Sequence, residues 1–138
     1  MESIRMKIAI VTDDGTTISR HFGRAAKYKI LTVEDGKISG SEMRAKPGHD
    51  QFKEDNHVRL EESGQRHGYG QAAEHRHNRM AEVIADCQVL LCRGMGSGAY
   101  YNVQALGIRT IITDLASIDK AVAAFLDGSM VDHKERLH

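Results

Sequence analysis

An imidazole lies in a short polar segment that follows the first strongly apolar run of this sequence. The apolar run ends at Val11, and His21-Phe22-Gly23 stands ten residues further on. A neutral imidazole can ligate a metal, and its charge changes readily near neutral pH. Phe22 is expected to anchor the segment in the core, and Gly23 is expected to permit backbone angles that a side chain would forbid. His21 is therefore a candidate metal ligand in a loop at one edge of a sheet.

A second candidate site is the glycine-rich segment that follows a later apolar run. Gly94, Gly96 and Ala99 match the spacing G-x-G-x-x-A, and Asp114 lies twenty residues after Gly94. This spacing is typical of dinucleotide sites, in which the glycines admit a pyrophosphate to a helix N-terminus and the acid binds a ribose. A tight turn before a short helix is an equally good interpretation. In both cases the N–H groups at the start of the helix favour an anion or an anionic cluster.

The two cysteines begin and end one predicted strand, Cys87 to Cys92. At roughly 3.3 Å per residue they lie about 16 Å apart, so they can neither share one ion nor form a disulfide. Cys87 is expected in the core, as free cysteines usually are. Cys92 lies at the same predicted edge as His21 and is a candidate soft ligand for iron or copper. The alternative is that Cys92 is a small buried residue at the end of its strand.

Five further histidines lie in the middle of the chain. The segment 45–70 is polar and charged, and it is expected to be a flexible insertion. The histidine spacing does not match a zinc site, and residues 75 and 77 cannot share a helical face. The sequence leaves open whether these histidines bind a metal; they are His49, His57, His67, His75 and His77.

Catalytic chemistry has little support in the sequence. Asp13-Asp14-Gly15 could be a metal-binding acid pair, but adjacent side chains point apart, and the segment is typical of a turn. No serine or cysteine stands in a recognisable nucleophile motif with a histidine partner. The chain is therefore expected not to be an enzyme.

The pattern of apolar residues predicts the elements that would position these segments. Asp35-Gly36 indicates a hairpin, Ser117 caps the last helix, and Gly128 closes it. The predicted strand Lys37 to Arg44 is polar along its length, so it is expected at an edge of the sheet. If the second strand is reversed, the other four strands end at one edge, where ligands bind in open α/β sheets. The predicted strands are Met6 to Thr12, Tyr28 to Glu34, Lys37 to Arg44, Cys87 to Cys92 and Ile108 to Thr113, and the predicted helices begin near Gln71, at Ala99 and after Ser117.

Composition limits the classes of function. The chain has 138 residues, with 19 Lys plus Arg and 19 Asp plus Glu, so no basic excess favours a nucleic-acid partner. Neither a signal peptide nor a membrane span is recognisable, and two cysteines without a disulfide pattern indicate a reducing compartment. We therefore expect one soluble cytoplasmic domain, 1–138, with a loose tail at 129–138.

Three segments together resemble the nitrogenase iron–molybdenum cofactor biosynthesis family, as a stand-alone member. They are Lys7 to Gly15, Ile18 to Ala25, and the glycine turn before Leu106-Gly107-Ile108, and the similarity covers roughly residues 6–128. The resemblance implies a ribonuclease-H-like three-layer α/β fold. Its five-stranded mixed sheet would have the order 3-2-1-4-5, with strand 2 antiparallel and helices on both faces.

The resemblance also implies the binding and carriage of iron–sulfur or molybdenum-containing clusters. His21 matches the histidine of the family's His-Phe-Gly motif, and the glycines match a second loop of the site. Some members carry a cysteine just after this motif, where this chain has Arg24 and Ala25, so that thiolate is absent. The expected cluster-binding residues are His21, Phe22, Gly23, Arg24, Gly94, Gly96 and Gly98, with His21 and Cys92 as the candidate metal ligands.

The hypothesis from the sequence is a small carrier protein for an exchangeable cluster of the iron–sulfur or iron–molybdenum type. It would work with cluster donor and acceptor proteins, without nucleic acid or membrane, as a monomer or weak homo-oligomer. Two alternatives remain: a nucleotide-binding enzyme that uses the glycine turn and Asp114, and a protein-interaction module without a cofactor.

Overall fold

The computed structural model describes residues 5–46 and 80–137, which form a five-stranded mixed sheet with helices. The strands are β1 (Arg5–Thr12), β2 (Lys27–Glu34), β3 (Lys37–Ala45), β4 (Val89–Cys92) and β5 (Arg109–Ile112). Residues 80–82 are helical, and the later helices are α1 (Ser97–Ala105) and α2 (Ile118–Asp127), followed by a 3-10 turn at Lys134–Arg136. No helix within these two ranges is long and apolar enough to cross a membrane.

The strand order is β3-β2-β1-β4-β5. β2 runs antiparallel to both β1 and β3, whereas β4 runs parallel to both β1 and β5. The expected α/β sheet, with this order and a reversed second strand, is confirmed. As a result β1, β3, β4 and β5 all end on one side of the sheet, which we call the C-terminal edge.

The sheet is covered on both faces at its centre. Ile8, Ala9, Ile10 and Val11 are all fully buried, and successive side chains of a strand point to opposite faces. By contrast, every residue of β3 except the half-buried Arg44 is exposed, so this polar strand is the predicted edge. The continuous apolar run of β1 thus fixes its central place.

Local turn chemistry follows the sequence closely. Asp35 and Gly36 have φ values of 51° and 81°, the left-handed pair that a two-residue hairpin requires. The Ser117 side chain accepts a hydrogen bond from the Lys120 N–H and caps α2, and Gly128 ends that helix with a φ of 84°. These three predictions are confirmed.

The first two residues of the expected insertion at 45–70 lie in the described part of the chain. Ala45 is the last residue of β3, and Lys46 is buried. The remainder of the predicted insertion lies outside the described residues, as do the start of the helix expected near Gln71 and the five central histidines.

The segment expected to be a loose tail is packed along the outer side of β5 over its described part, residues 129–137. The Ile112 N–H donates to the Asp132 carboxylate at 3.0 Å, and the His133 N–H donates to the Ile112 carbonyl at 2.7 Å. β5 is an end strand, so its outer backbone groups need partners from elsewhere in the chain. The tail supplies two of them, which corrects the prediction.

Candidate functional site at the paired loops

The two segments singled out in the sequence are in direct contact at the C-terminal edge. The Phe22 N–H donates to the Gly94 carbonyl at 3.0 Å. A Cβ added to Gly94 would lie only 2.7 Å from the Arg20 carbonyl oxygen, which is backbone and cannot turn aside. Glycine is therefore required at position 94 by the close approach of the two loops. We call these segments, residues 19–25 and 93–98, the paired loops.

The first loop presents His21 by anchoring the residues around it. The side chains of Phe22 and Ala25 are buried, and the N–H groups of Arg24 and Ala25 donate to the His21 carbonyl at 3.2 and 3.1 Å. The His21 side chain is exposed, and its ring has no hydrogen-bond partner among the residues that the structure describes. The expected anchoring role of Phe22 is confirmed, and the imidazole is accessible to a ligand.

Gly23 does not have the role that the sequence suggested. Its φ is not positive, and no atom lies within 4 Å of a Cβ placed on it. The backbone at this position is therefore open to residues with side chains, and the prediction that Gly23 needs special backbone angles is wrong. Unlike Gly23, Gly94 leaves no space for a side chain.

The acidic turn before the first loop is structural, as predicted. Asp14 accepts hydrogen bonds from the N–H groups of Thr16 and Thr17 at 2.9 and 2.8 Å, and these bonds hold the pKa of its carboxyl well below the usual range. Asp13 accepts from the Ala26 N–H at 2.9 Å and so ties the turn to the start of β2. Both carboxylates thus fix the backbone on either side of the loop that contains His21.

Cys92 lies in the core rather than on the paired loops. Its side chain is fully buried, its Sγ lies 3.8 Å from the Sδ of Met95, and burial raises the pKa of its thiol to about 12. A side chain that is fully buried in the core is not exposed to a cluster on the surface. The structure therefore supports the alternative interpretation of Cys92 and corrects its assignment as a metal ligand. Cys87 is buried as well, as expected.

The second loop leads directly into α1. Gly96 is the N-cap residue of α1 and provides no side-chain cap, and its carbonyl accepts from the Tyr100 N–H at 3.0 Å. Gly98 is exposed in the first helical turn. The three predicted glycines therefore lie together at the end of β4 and the start of α1.

The features that suggested a nucleotide site have other partners in the structure. Gly94 is explained by its contact with Arg20, and Asp114 lies with its Oδ1 3.7 Å from the Nε2 of His133. The other nitrogen of the His133 ring, Nδ1, lies 3.1 Å from the Glu135 carboxylate. The predicted ribose-binding acid is thus in contact with the C-terminal tail.

The paired loops carry three arginines that have no acidic partner in the described part of the chain. Within residues 5–46 and 80–137, Arg20, Arg24 and Arg93 form no ion pair. The Nε of Arg93 is buried and has no hydrogen-bond partner in the described structure. Buried donors are nearly always satisfied, and no described residue satisfies this one. Arg93 was missed in the sequence, although a charged residue between a buried strand and a glycine turn was a usable signal.

Lys46 is a second residue that the sequence did not reveal. Its side chain is buried behind the first loop, with the Nζ 4.8 Å from the centroid of the Phe22 ring. Burial lowers the pKa of this ammonium to about 8. Lysine is normally exposed, so nothing in the sequence indicated this position.

In the part of the chain that the structure describes, no three His, Cys, Asp or Glu side chains are grouped so that they could hold a metal ion. The chemistry available at the paired loops is instead one accessible imidazole, three guanidinium groups and the N-terminus of a helix. This set suits a ligand that is anionic and makes few direct bonds to the protein.

Comparison with known proteins agrees with this architecture. The family model described as "Dinitrogenase iron-molybdenum cofactor" matches residues 5–128. An uncharacterized protein of Methanocaldococcus jannaschii is 28% identical over 127 residues, which cover 91% of this chain and 89% of that protein.

Two solved structures show the same fold. The protein PH0822 matches with a TM-score of 0.65 at 19% identity, over 94% of this chain and 98% of that one. The apo form of the orange protein from Desulfovibrio gigas matches with a TM-score of 0.62 at 24% identity, over 96% of this chain and 97% of that one. Since the family match spans both paired loops and all five strands, this chain belongs to the dinitrogenase iron–molybdenum cofactor family.

Proposed function

We propose that this chain binds and carries an anionic iron–sulfur or molybdenum-containing cluster at the paired loops and does not catalyse a reaction. The observation that carries the proposal is the contact between the loops: the hydrogen bond from Phe22 to Gly94 places the exposed His21 beside the start of α1. Membership of the cofactor family supports a role of this chain in cofactor-related binding.

The charge of the paired loops supports an anionic cargo. Clusters built from sulfide and metal ions generally carry net negative charge, and guanidinium groups donate strong hydrogen bonds to such anions. Among the described residues, Arg20, Arg24 and Arg93 have no carboxylate partner, and the Arg93 Nε has no hydrogen-bond acceptor. A neutral or cationic cargo would leave these charges uncompensated.

The ligand set supports carriage rather than permanent storage. His21 is exposed and can make one direct bond to a metal, whereas the Cys92 thiol is buried and protonated. A cluster held by one imidazole and by charge can be exchanged without breaking several metal–thiolate bonds. Such a site suits transfer in the cytoplasm between a donor protein and an acceptor protein.

The test is anaerobic reconstitution with iron, sulfide and molybdate, followed by absorption spectroscopy. Wild type is expected to show a cluster band, and His21→Ala is expected to lose most of it. His133→Ala is the matched control, because it removes an imidazole that contacts Glu135 and Asp114 rather than the paired loops. No band in wild type with any cluster source would overturn the proposal, and an unchanged band in His21→Ala would remove His21 from the site.

A further inference from the structure

Lys46 holds a buried positive charge directly behind the first of the paired loops. Its side chain is 4% exposed, and its Nζ lies 4.8 Å from the centroid of the Phe22 ring and 6.0 Å from that of the Tyr28 ring. Phe22 is adjacent to His21 in sequence, and its N–H is the donor that joins the two loops. The ammonium therefore lies against the aromatic side chain that neighbours His21 in the chain.

The contacts of Lys46 compensate its charge poorly. Its Nζ lies 3.4 Å from the Ala25 carbonyl and 3.7 Å from the Met80 Sδ, and it forms no ion pair with a described carboxylate. A buried charge is costly unless it is paired and hydrogen-bonded, and ring faces offset only part of that cost. A methionine would fill the same space without the penalty. The stability of the fold therefore does not account for a lysine at this position.

Within residues 5–46 and 80–137, few other groups near Lys46 could compensate this charge. Asp13, from the turn after β1, is the acid whose charge acts on Lys46. Tyr28, from β2, donates its hydroxyl to the Met80 carbonyl, and burial raises its pKa well above the ordinary value, so it stays neutral. Phe22 and Met80 do not titrate. Among the described residues, the buried charge of Lys46 is thus opposed mainly by Asp13, and buried charges are screened less than exposed ones.

We propose that Lys46 is a positioning and selectivity residue of the cluster site, whose buried charge strengthens binding of an anionic cluster and makes that binding depend on pH. This inference rests on the proposed function and identifies how the same site is regulated. Lys46 does not contact the cluster; it acts through the Phe22 side chain and the electrostatic potential of the loop.

The pH dependence follows from the position of the ammonium. Burial lowers the pKa of Lys46 to about 8, so the free protein loses this charge in mildly alkaline solution. A bound anion favours the charged form and raises this pKa, and by linkage the protonated lysine favours the anion equally. Binding near the free protein's pKa is therefore accompanied by proton uptake, and the affinity falls as the pH rises above it.

The experiment measures binding of tetrathiomolybdate, a stable molybdenum–sulfur dianion, by calorimetry under anaerobic conditions. Titrations at about pH 7.5 and about pH 9.5, in two buffers of different ionisation enthalpy, give the affinity and the number of protons taken up. Wild type, Lys46→Met and Lys46→Arg are compared. Lys37→Met is the matched control, because it also removes one positive charge, but at the exposed start of β3, opposite the C-terminal edge.

Wild type and the Lys37→Met control are expected to take up protons on binding and to bind about tenfold more weakly at the higher pH. Lys46→Met is expected to bind about tenfold more weakly than wild type at the lower pH, with no further loss at the higher one. Lys46→Arg, which stays charged, is expected to bind without proton uptake. The proton uptake of wild type tests the inference even if a Lys46 variant fails to fold.

The outcomes separate this inference from the proposed function. Binding to wild type with the same affinity at both pH values and without proton uptake overturns the role of Lys46 and leaves the carrier function intact. The role of Lys46 is also overturned if the affinity of Lys46→Met depends on pH as strongly as that of wild type. No binding to wild type at either pH, together with failed reconstitution, overturns both proposals.

Discussion

At the scale of single residues, the site depends on contacts that residue type alone does not reveal. Gly23 and Gly94 are both glycines in candidate motifs, but only Gly94 has a backbone oxygen where its Cβ would be. Cys92 and Arg93 are neighbours in sequence, yet the thiol is in the core and the guanidinium is half-buried at the loop. The sequence identified the loops correctly, but which side chains face outward was decided by packing between distant segments.

The two glycines make a matched pair for mutation. Gly94→Ala places a Cβ 2.7 Å from the Arg20 carbonyl and must push the loops apart, so we expect a loss of roughly 1–3 kcal/mol in the free energy of unfolding. Gly23→Ala has open space and an ordinary φ, so we expect no loss and a gain of up to roughly 1 kcal/mol. Urea denaturation of both variants measures the difference. Equal stability of the two variants would contradict the close approach of the loops.

The buried ammonium of Lys46 predicts a specific pH dependence of stability. Its pKa is about 8 in the folded chain and near 10.5 when unfolded, so between these values the unfolded state binds more protons. The free energy of unfolding of wild type, relative to Lys46→Met, should therefore rise from about pH 8 to about pH 10, by at most about 1.4 kcal/mol per pH unit. Below about pH 7 the difference should be constant. Denaturation curves that stay parallel for the two proteins across this range would show that Lys46 is not buried as described.

At the scale of secondary-structure elements, local chemistry was predictable and long-range pairing was not. The hairpin at Asp35-Gly36 and the two ends of α2 follow from residues that are neighbours in the chain. The tail was expected to be loose because residues 129–138 contain few apolar side chains. It is held instead by backbone and side-chain hydrogen bonds to Ile112, which a count of apolar residues cannot detect.

The packing of the tail can be tested through the amide of Ile112. Asp132→Ala removes the acceptor of this N–H, and an unsatisfied buried donor should cost roughly 1–3 kcal/mol of stability. We expect the hydrogen exchange of the Ile112 amide to accelerate strongly. Val131→Ala is the control, since that side chain is 59% exposed and should change stability by less than roughly 0.5 kcal/mol. Fast exchange of the Ile112 amide in wild type would instead support the prediction of a loose tail.

At the scale of the whole molecule, the topology brings the site together. The apolar run of β1 indicated a central strand, and the reversed β2 placed the ends of four strands at one edge. This strand arrangement predicts that the His21 and Gly94 segments lie near each other at that edge. It could not reveal Lys46, because the burial of a lysine depends on two aromatic rings and on a neighbouring segment far away in sequence.

The most direct test of the account is to map where the cluster binds. Amide chemical shifts of the 15N-labelled protein are recorded under anaerobic conditions before and after addition of tetrathiomolybdate. If the cluster binds at the paired loops, the largest changes occur in residues 19–25 and 93–98, with little change at the Asp35-Gly36 hairpin on the opposite side of the sheet. Changes centred on that hairpin or on the exposed strand β3, with the paired loops unaffected, would contradict it.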